Sequence, residues 1–592
     1  MQMKNNTVIL AVAILCFTLS SYAAVPHVGP LISGTSSYVD GKWVWTDYAY
    51  DDRGVDSDVT AGGDAQYPEG LRNAADLIQI QVGLLPEGVE LTALLQTLTD
   101  VSVPEIAFVI DSDADKSTGA ASLPGGAWQP NQPLGAEWFV VASSSGVKVL
   151  RWNGTGWEDH AVLPVSINAG TNIVSVMLPR AIVDPGTAQW RIFSMAGLAS
   201  DSILSGGSVY DLAFVVAELV TDRNIMIADS ALGAFITGGT TIWQDERQSA
   251  ILAGGGNSDT AAATIDFGRI AAGDIDLASA AERGWYTFLH RSSLVLDEGV
   301  EQGASALGVG NAFTTRSYLG AYQPYLVLHR GAVGEASHPL VVFLHGASQT
   351  HLQNTYWFEP AEANNTFSYP AITIFPLARG EVLYYNDISE VDVLEVMSDA
   401  MTRLPVDPER VVLTGFSMGG MGTYKLASLY PDRFSTAVAH FGNASSNGVS
   451  TLMENLLNLP FRADNGMIDY LVQASSFLPD RERGIELGYD FRFFDVSNAH
   501  HALQPHLANC LLVNAIGRKR VRNPAKLVYA VEANRIMDDP DTGLHLTYDG
   551  AYWLSGMALR GGAEYGVVRA ISLARADRNT NSKLTDEYFT SD

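Results

Sequence analysis

Cysteine is almost missing from this chain of 592 residues, which has two, Cys16 and Cys510. A disulfide framework is thereby excluded, and stability has to come from large buried cores. Positive charge is scarce as well, with 36 Lys and Arg against 65 Asp and Glu and a formal net charge of −29. Such an excess repels phosphate backbones and anionic membrane surfaces at long range, so nucleic acid is not expected as a partner. Charged residues make up only 17% and apolar residues 47%, a balance that favours packed cores over disorder and, at this length, several domains. Long hydrophobic runs are also lacking. The run Val8 to Leu19 is too short to span a bilayer, but it follows Lys4 and ends in Ser21-Tyr22-Ala23, with small residues where a signal peptidase cuts. Residues 1–23 are therefore expected to be a signal peptide, and the mature chain to be secreted or periplasmic without an integral membrane segment. Leu15 before Cys16 is too large for a lipoprotein cleavage site.

From Val25 to about Ala217 short alternating runs are separated by Gly, Asn and Asp. In Asp76-Leu77-Ile78-Gln79-Ile80-Gln81-Val82 the period of two puts Ile78, Ile80 and Val82 on one face of a strand and the glutamines on the other. Asn153-Gly154, between Val147 and Trp157, suits a tight hairpin turn. Residues 24–217 are thus expected to form a β-sandwich, and residues 218–309, rich in Gly and Ala, a connecting segment. The stretches around Trp43 to Asp52, Asn73 to Leu77 and Asp111 to Gly119 resemble family-9-like carbohydrate-binding and DOMON-like modules. The resemblance implies that polysaccharide could be a partner, with Trp43, Trp45, Tyr48 and Tyr50 stacking on sugar rings; the alternative is that these aromatics belong to the core. Asp111, Asp113 and Asp115 alternate along a loop and are candidate ligands for a structural Ca²⁺. The EF-hand pattern is not met, because its sixth position holds Lys116 and its last Ser122. The tail Asp577 to Ser582 has a similar look.

Near Tyr322 the pattern changes to short apolar strands, several separated by helical-length segments, as expected of a mostly parallel sheet with helices on both faces over residues 310–516. Catalysis in such sheets sits at the carboxyl ends of the strands. Residues 517–592 return to a β pattern, a small C-terminal appendage. The basic run Arg518, Lys519, Arg520 and Arg522 is expected to be solvated or ion-paired.

The strand Val411 to Thr414 leads into Gly415-Phe416-Ser417-Met418-Gly419-Gly420 and then a helical stretch. A serine at so sharp a strand-to-helix turn needs strained backbone angles, and glycines on both sides remove side chains that would collide. Its hydroxyl is a poor nucleophile without a base, which should follow later in the chain after an acid. Candidates are Asp469, just beyond the Asn465-Gly466 turn, and His500 or His501 after the next strand. Leu344-His345-Gly346-Ala347, the elbow, the Asn465-Gly466 to Asp469 turn and Ala499-His500-His501 together resemble secreted α/β-hydrolases of the prolyl-oligopeptidase-like and polyhydroxybutyrate-depolymerase-like esterase group. The resemblance implies a Ser417, Asp469, His501 triad, with His500 the alternative base and Asp464, Asp480 and Asp495 weaker candidates for the acid. It also implies an oxyanion hole from the backbone of Met418 with Gly346 or Ala347, and no required cofactor. The expected activity is a serine hydrolase cleaving an ester, polyester or peptide, esterase before peptidase, since no large cap is inserted between Ser417 and Asp469 and the front of the chain lacks propeller repeats. A carbohydrate-binding or adhesion protein with an inactive hydrolase domain is the reading from another class.

Overall fold

The computed structural model describes residues 26–52, 67, 73–216, 246–297, 300–303, 315–347, 349–352, 357–358, 367–380 and 382–572. The expected signal peptide and the tail Asp577 to Ser582 lie outside these residues. Among the described residues no helix is long and apolar enough to cross a membrane. Cys510 is exposed and free.

The front of the chain is two antiparallel sheets packed face to face. One is six-stranded, in the order Thr35–Val39, Lys42–Thr46, Leu77–Leu84, Gly88–Leu95, Ile173–Pro179, Val165–Asn168. The other runs Val209–Leu212, Gln189–Leu198, Pro104–Asp111, Trp138–Ser143, Gly146–Trp152, Trp157–Leu163. Ile80, Val82, Leu91, Phe108, Val140 and Trp190 fill the space between them. The expected alternation along Leu77–Leu84 is broken at its start. A register shift between Leu77 and Gln79 turns Ile78 away from this core, to pack with Tyr50, Leu289 and Tyr322 at the junction with the next domain. Gln79 and Gln81 are buried too, because the segment at Pro26 to Val28 crosses over them: Gln79 exchanges two 2.9 Å bonds with the Val28 backbone, and Gln81 donates to the Pro26 carbonyl at 3.2 Å. The Asn153-Gly154 hairpin turns over four residues, with Asn153 Oδ1 accepting from the amides of Thr155 and Gly156 at 3.0 Å each. The segment 218–309 is more than a connector: Ala263–Asp266 pairs with Gln189–Leu198 in the sandwich, and Gly284–Arg291 joins the sheet that follows.

That sheet has eight strands: β1 (Gly284–Arg291), β2 (Tyr322–His329), β3 (His338–Leu344), β4 (Ile372–Pro376), β5 (Val406–Phe416), β6 (Thr436–His440), β7 (Phe461–Gly466) and β8 (Phe491–Val496), in spatial order 1-2-4-3-5-6-7-8. From β4 through β8 all neighbours are parallel; β1 and β2 are antiparallel additions at one edge. β3, β4, β6 and the second half of β5, from Val411, are buried on both faces, which is why they read as mostly apolar runs rather than alternating ones. Helices α1 (Ile388–Arg403), α2 (Met418–Leu429), α3 (Ala474–Leu487) and α4 (Pro505–Ala515) cover it. The sandwich is bolted to the β1–β2 edge. Gln96 exchanges bonds of 2.7 and 2.6 Å with the Tyr322 backbone, and Arg403 donates to the Leu31 carbonyl at 2.7 Å. Nearer the end of the chain, the antiparallel pair of Lys526–Glu532 and Tyr565–Ile571 shares the core of the α/β domain through Leu527, Tyr529 and Val531. The basic run ahead of it is ion-paired, Arg520 and Arg522 with Glu409 at 3.2 and 2.6 Å and Arg518 with Asp490 at 3.6 Å.

Candidate active site

Ser417 stands between the end of β5 and the first residue of α2, with φ 59° and ψ −118°. Such a positive φ is strained for a residue with a Cβ. The surroundings hold it: the Ser417 amide donates to the His440 carbonyl of β6 at 2.9 Å, and its own carbonyl accepts from the Met421 amide at 3.0 Å. The two flanking glycines are required by contact. A Cβ on Gly415 would sit 2.4 Å from the Gly419 carbonyl oxygen, and one on Gly419 would sit 2.2 Å from that of Leu344. Gly419→Ala should therefore push α2 off β3, costing about 1–3 kcal/mol or more, seen as a fall in the thermal midpoint with loss of function.

The same close approach brings the amino end of α2 against the end of β3, where Gly346 and Ala347 lie. Met418, Gly346 and Ala347, far apart in sequence, thus come from two segments that touch. Buried Tyr385 fixes that turn. Its hydroxyl donates to the His345 carbonyl at 2.7 Å, and its ring lies so close to α2 that a Cβ on Gly422 would be 2.3 Å from it. Lys425 of α2 donates to the Tyr385 carbonyl at 2.8 Å and pairs with the fully buried Glu390 at 2.8 Å. His345 is enclosed as well. Burial lowers its pKa, and Nε2 lies 3.0 Å from the Leu377 carbonyl, so the neutral ring braces the turn.

Asp469 follows the turn at the end of β7, and His501 follows β8. His501 Nδ1 lies 2.7 Å from Asp469 Oδ2, and His501 Nε2 lies 2.8 Å from Ser417 Oγ. The other Asp469 oxygen accepts from the amides of Leu471 and Val472 at 2.8 and 2.9 Å, which fixes the carboxylate's direction. Phe416 and Phe441 flank the imidazole, with ring centroids 5.1 and 6.0 Å away. His500 is exposed, whereas His501 is 2% exposed. Asp464, inside β7, is engaged instead by buried His440. Asp480 accepts from the amides of Ala444 and Ser445 and from Ser450, and Asp495 pairs with Arg481. A strained serine between strand and helix, with an acid and a histidine beyond two later parallel strands of a 1-2-4-3-5-6-7-8 sheet, decides the architecture. The domain has the α/β-hydrolase fold.

Residues 385–458, which hold the elbow of this hydrolase domain, match the prolyl oligopeptidase family. Nothing among the curated proteins matches the chain. Among solved structures, it is similar to the fluorophosphonate-binding serine hydrolase FphF of Staphylococcus aureus, at 17% identity over 38% of this chain and 98% of that one, with a TM-score of 0.27. A thermostable esterase is similar at 12% identity over 74% of this chain and 98% of that one, TM-score 0.27. An S-formylglutathione hydrolase from Agrobacterium tumefaciens is similar at 16% identity over 40% and 95%, TM-score 0.27.

Outside the hydrolase domain, the expected Ca²⁺ ligands divide. Asp111 and Asp113 have carboxylate oxygens within 4.8 Å of one from Glu137, at the start of a neighbouring strand. Asp115 is turned into its own loop, accepting from the amide and hydroxyl of Ser117 at 2.9 and 2.7 Å. Of the four aromatics considered for sugar stacking, Trp43, Trp45 and Tyr50 are buried, the two tryptophans against Phe214 with ring centroids 5.6 and 5.8 Å away.

Nothing in the sequence pointed to Tyr385, Lys425 or the His440–Asp464 pair. Their partners are backbone carbonyls or residues on other strands and helices, and no local motif records such contacts.

Proposed function

We propose that the chain is an exported serine hydrolase that cleaves an ester bond through an acyl-enzyme. The observation that carries this reading is the continuous hydrogen-bonded path from Ser417 Oγ through His501 to Asp469. His501 Nε2 takes the hydroxyl proton as Ser417 Oγ attacks the substrate carbonyl carbon. Asp469 holds the Nδ1–H tautomer and stabilises the imidazolium. The proton then passes to the departing alcohol, which leaves with its oxygen, and the acyl group stays on Ser417. Water repeats the sequence on the ester so formed, releasing the acid and restoring the serine. The oxyanion of each tetrahedral intermediate would be held by the amides of Met418 and of Gly346 or Ala347. No step draws on a metal; an ion among Asp111, Asp113 and Glu137 would be structural.

Two observations favour esters. The front domain is a sandwich rather than a propeller that would meter peptides, and four apolar side chains around the acid, Met467, Ile468, Tyr470 and Leu471, are exposed. Such a rim suits an apolar acyl or polyester chain. The family match over residues 385–458 favours peptide bonds instead.

Purified mature protein tested on p-nitrophenyl acetate, hydroxybutyrate oligomers and Xaa-Pro amides separates the two. Ester turnover without amide turnover is expected, whereas cleavage of the amides alone would move the protein to the peptidases. Failure of a fluorophosphonate to label the folded protein would remove the hydrolase reading altogether. Tyr385→Phe takes away the bond that fixes the oxyanion turn while leaving the ring in place. A bond of this kind is worth about 0.5–1.5 kcal/mol, so kcat should fall roughly 3–10-fold with KM little changed; steady-state kinetics on the acetate ester check this.

A further inference from the structure

A second group of carboxylates lies in the sandwich, where its sheets meet near the hydrolase domain. One oxygen from each of Asp51, Asp76 and Asp211 lies within 4.8 Å of those of the other two. The three residues come from separate segments: Asp51 follows the second strand, Asp76 precedes the third, and Asp211 lies on the edge strand Val209–Leu212 of the opposite sheet. Asp76 and Asp211 have no exposed surface. In each, one oxygen is committed. Asp76 Oδ2 accepts from the Tyr50 amide and from Asn73 Nδ2, both at 2.7 Å, and Asp211 Oδ2 accepts from the Leu77 amide at 2.6 Å. In each, the other oxygen, Oδ1, is buried and has no donor. The same holds for Oδ1 of buried Asn73, whose Nδ2 is bonded to Asp76 and to Asp52.

Enclosed carboxylates that lack donors are costly, because each loses hydration worth several kcal/mol without replacement. Carboxylates this close together also repel one another. A divalent cation removes both penalties together. Oxygens bound to one Ca²⁺ at 2.3–2.6 Å are up to about 5 Å apart, which accommodates the observed spacing. The donors are all oxygens, without His or Cys, which disfavours zinc and the softer transition metals. Mg²⁺ keeps several of its waters and suits an enclosed cage of side chains poorly. We infer that Asp51, Asp76 and Asp211, with the Asn73 carbonyl oxygen beside them, bind one Ca²⁺ that ties the two sheets of the sandwich together. The site is separate from the Asp111 loop and shares no residue with the hydrolytic machinery.

The test uses the full mature chain, stripped with EDTA and returned to CaCl2 or MgCl2. Ca²⁺ at about a hundredfold over its Kd should raise the thermal midpoint by roughly 5–10 °C, with Mg²⁺ giving much less. Calorimetric titration should count one Ca²⁺ fewer in Asp211→Asn and in Asp76→Asn than in wild type, and the rise in midpoint should vanish in both. Asp113→Asn, in the other loop, should keep that rise. Should either buried variant fail to fold, Asp51→Asn, at the partly exposed ligand, reads the same count. No bound Ca²⁺ in wild type would overturn the proposal. So would an unchanged count and midpoint response in folded Asp211→Asn or Asp51→Asn, which would put the ion elsewhere.

Discussion

Replacing Ser417 with alanine is expected to lower ester turnover by about 10⁴–10⁶-fold and to abolish fluorophosphonate labelling, while the thermal midpoint stays within a degree or two of wild type. The effect should be this selective because of the backbone. Ser417 is held at φ 59° by main-chain bonds to His440 and Met421, and an alanine occupies the same angles at about the same cost. What disappears is one oxygen, and with it the 2.8 Å bond to His501 Nε2. The residual rate would come from the oxyanion donors and substrate binding, which the substitution leaves in place. Two measurements decide it: turnover by active-site-titrated enzyme, and circular dichroism with thermal melting. Variant protein that keeps more than a tenth of the activity would mean that another group forms the acyl bond.

The second large effect is expected at the acid. Asp469→Asn should cost about 10⁴-fold in kcat, because an amide in place of the carboxylate stabilises the wrong imidazole tautomer and no imidazolium. Asp464→Asn is the informative contrast. Asp464 is fully buried, but its partner is His440, so its loss should appear in the thermal midpoint rather than in the chemistry. The base behaves in the same way. His501→Ala should abolish turnover, and His500→Ala, at an exposed position, should leave most of it. Similar kcat losses at Asp469 and Asp464, with both variants folded, would remove Asp469 from the role assigned to it.

The elbow was legible because its constraint is local. Two glycines and a serine between a strand and a helix state in six residues which backbone approaches which, and the contacts a Cβ would make at Gly415 and Gly419 are the same requirement in distances. The alternating aromatics Trp43 and Trp45 were harder to read. Two residues apart on one strand they share a face, and only the presence of Phe214 and the opposite sheet makes that face a core rather than a binding platform. For Asp111, Asp113 and Asp115 the alternation was visible, but a turn onto Ser117 captured the third carboxylate, and the acid that comes close to the other two is Glu137, at the start of the neighbouring strand. The alternation along Leu77–Leu84 failed for a related reason, since a one-residue shift in pairing reverses the face of whatever precedes it.

By itself the amino-acid sequence determined the sandwich and the α/β sheet, the serine on its bend and the chain order of acid and base, because periodicity and turn chemistry act over a few neighbours. Only the tertiary structure brought His501 rather than His500 against Ser417, paired Asp464 with His440 and Asp469 with His501, set Tyr385 and Lys425 against their partners, and drew oxygens of Asp51, Asp76 and Asp211 within 4.8 Å of one another. Those choices depend on which strands lie side by side and which way a side chain leaves the end of a strand. Both are fixed by burying one face of each element against another, and that cooperation among distant segments is invisible to any short window of residues.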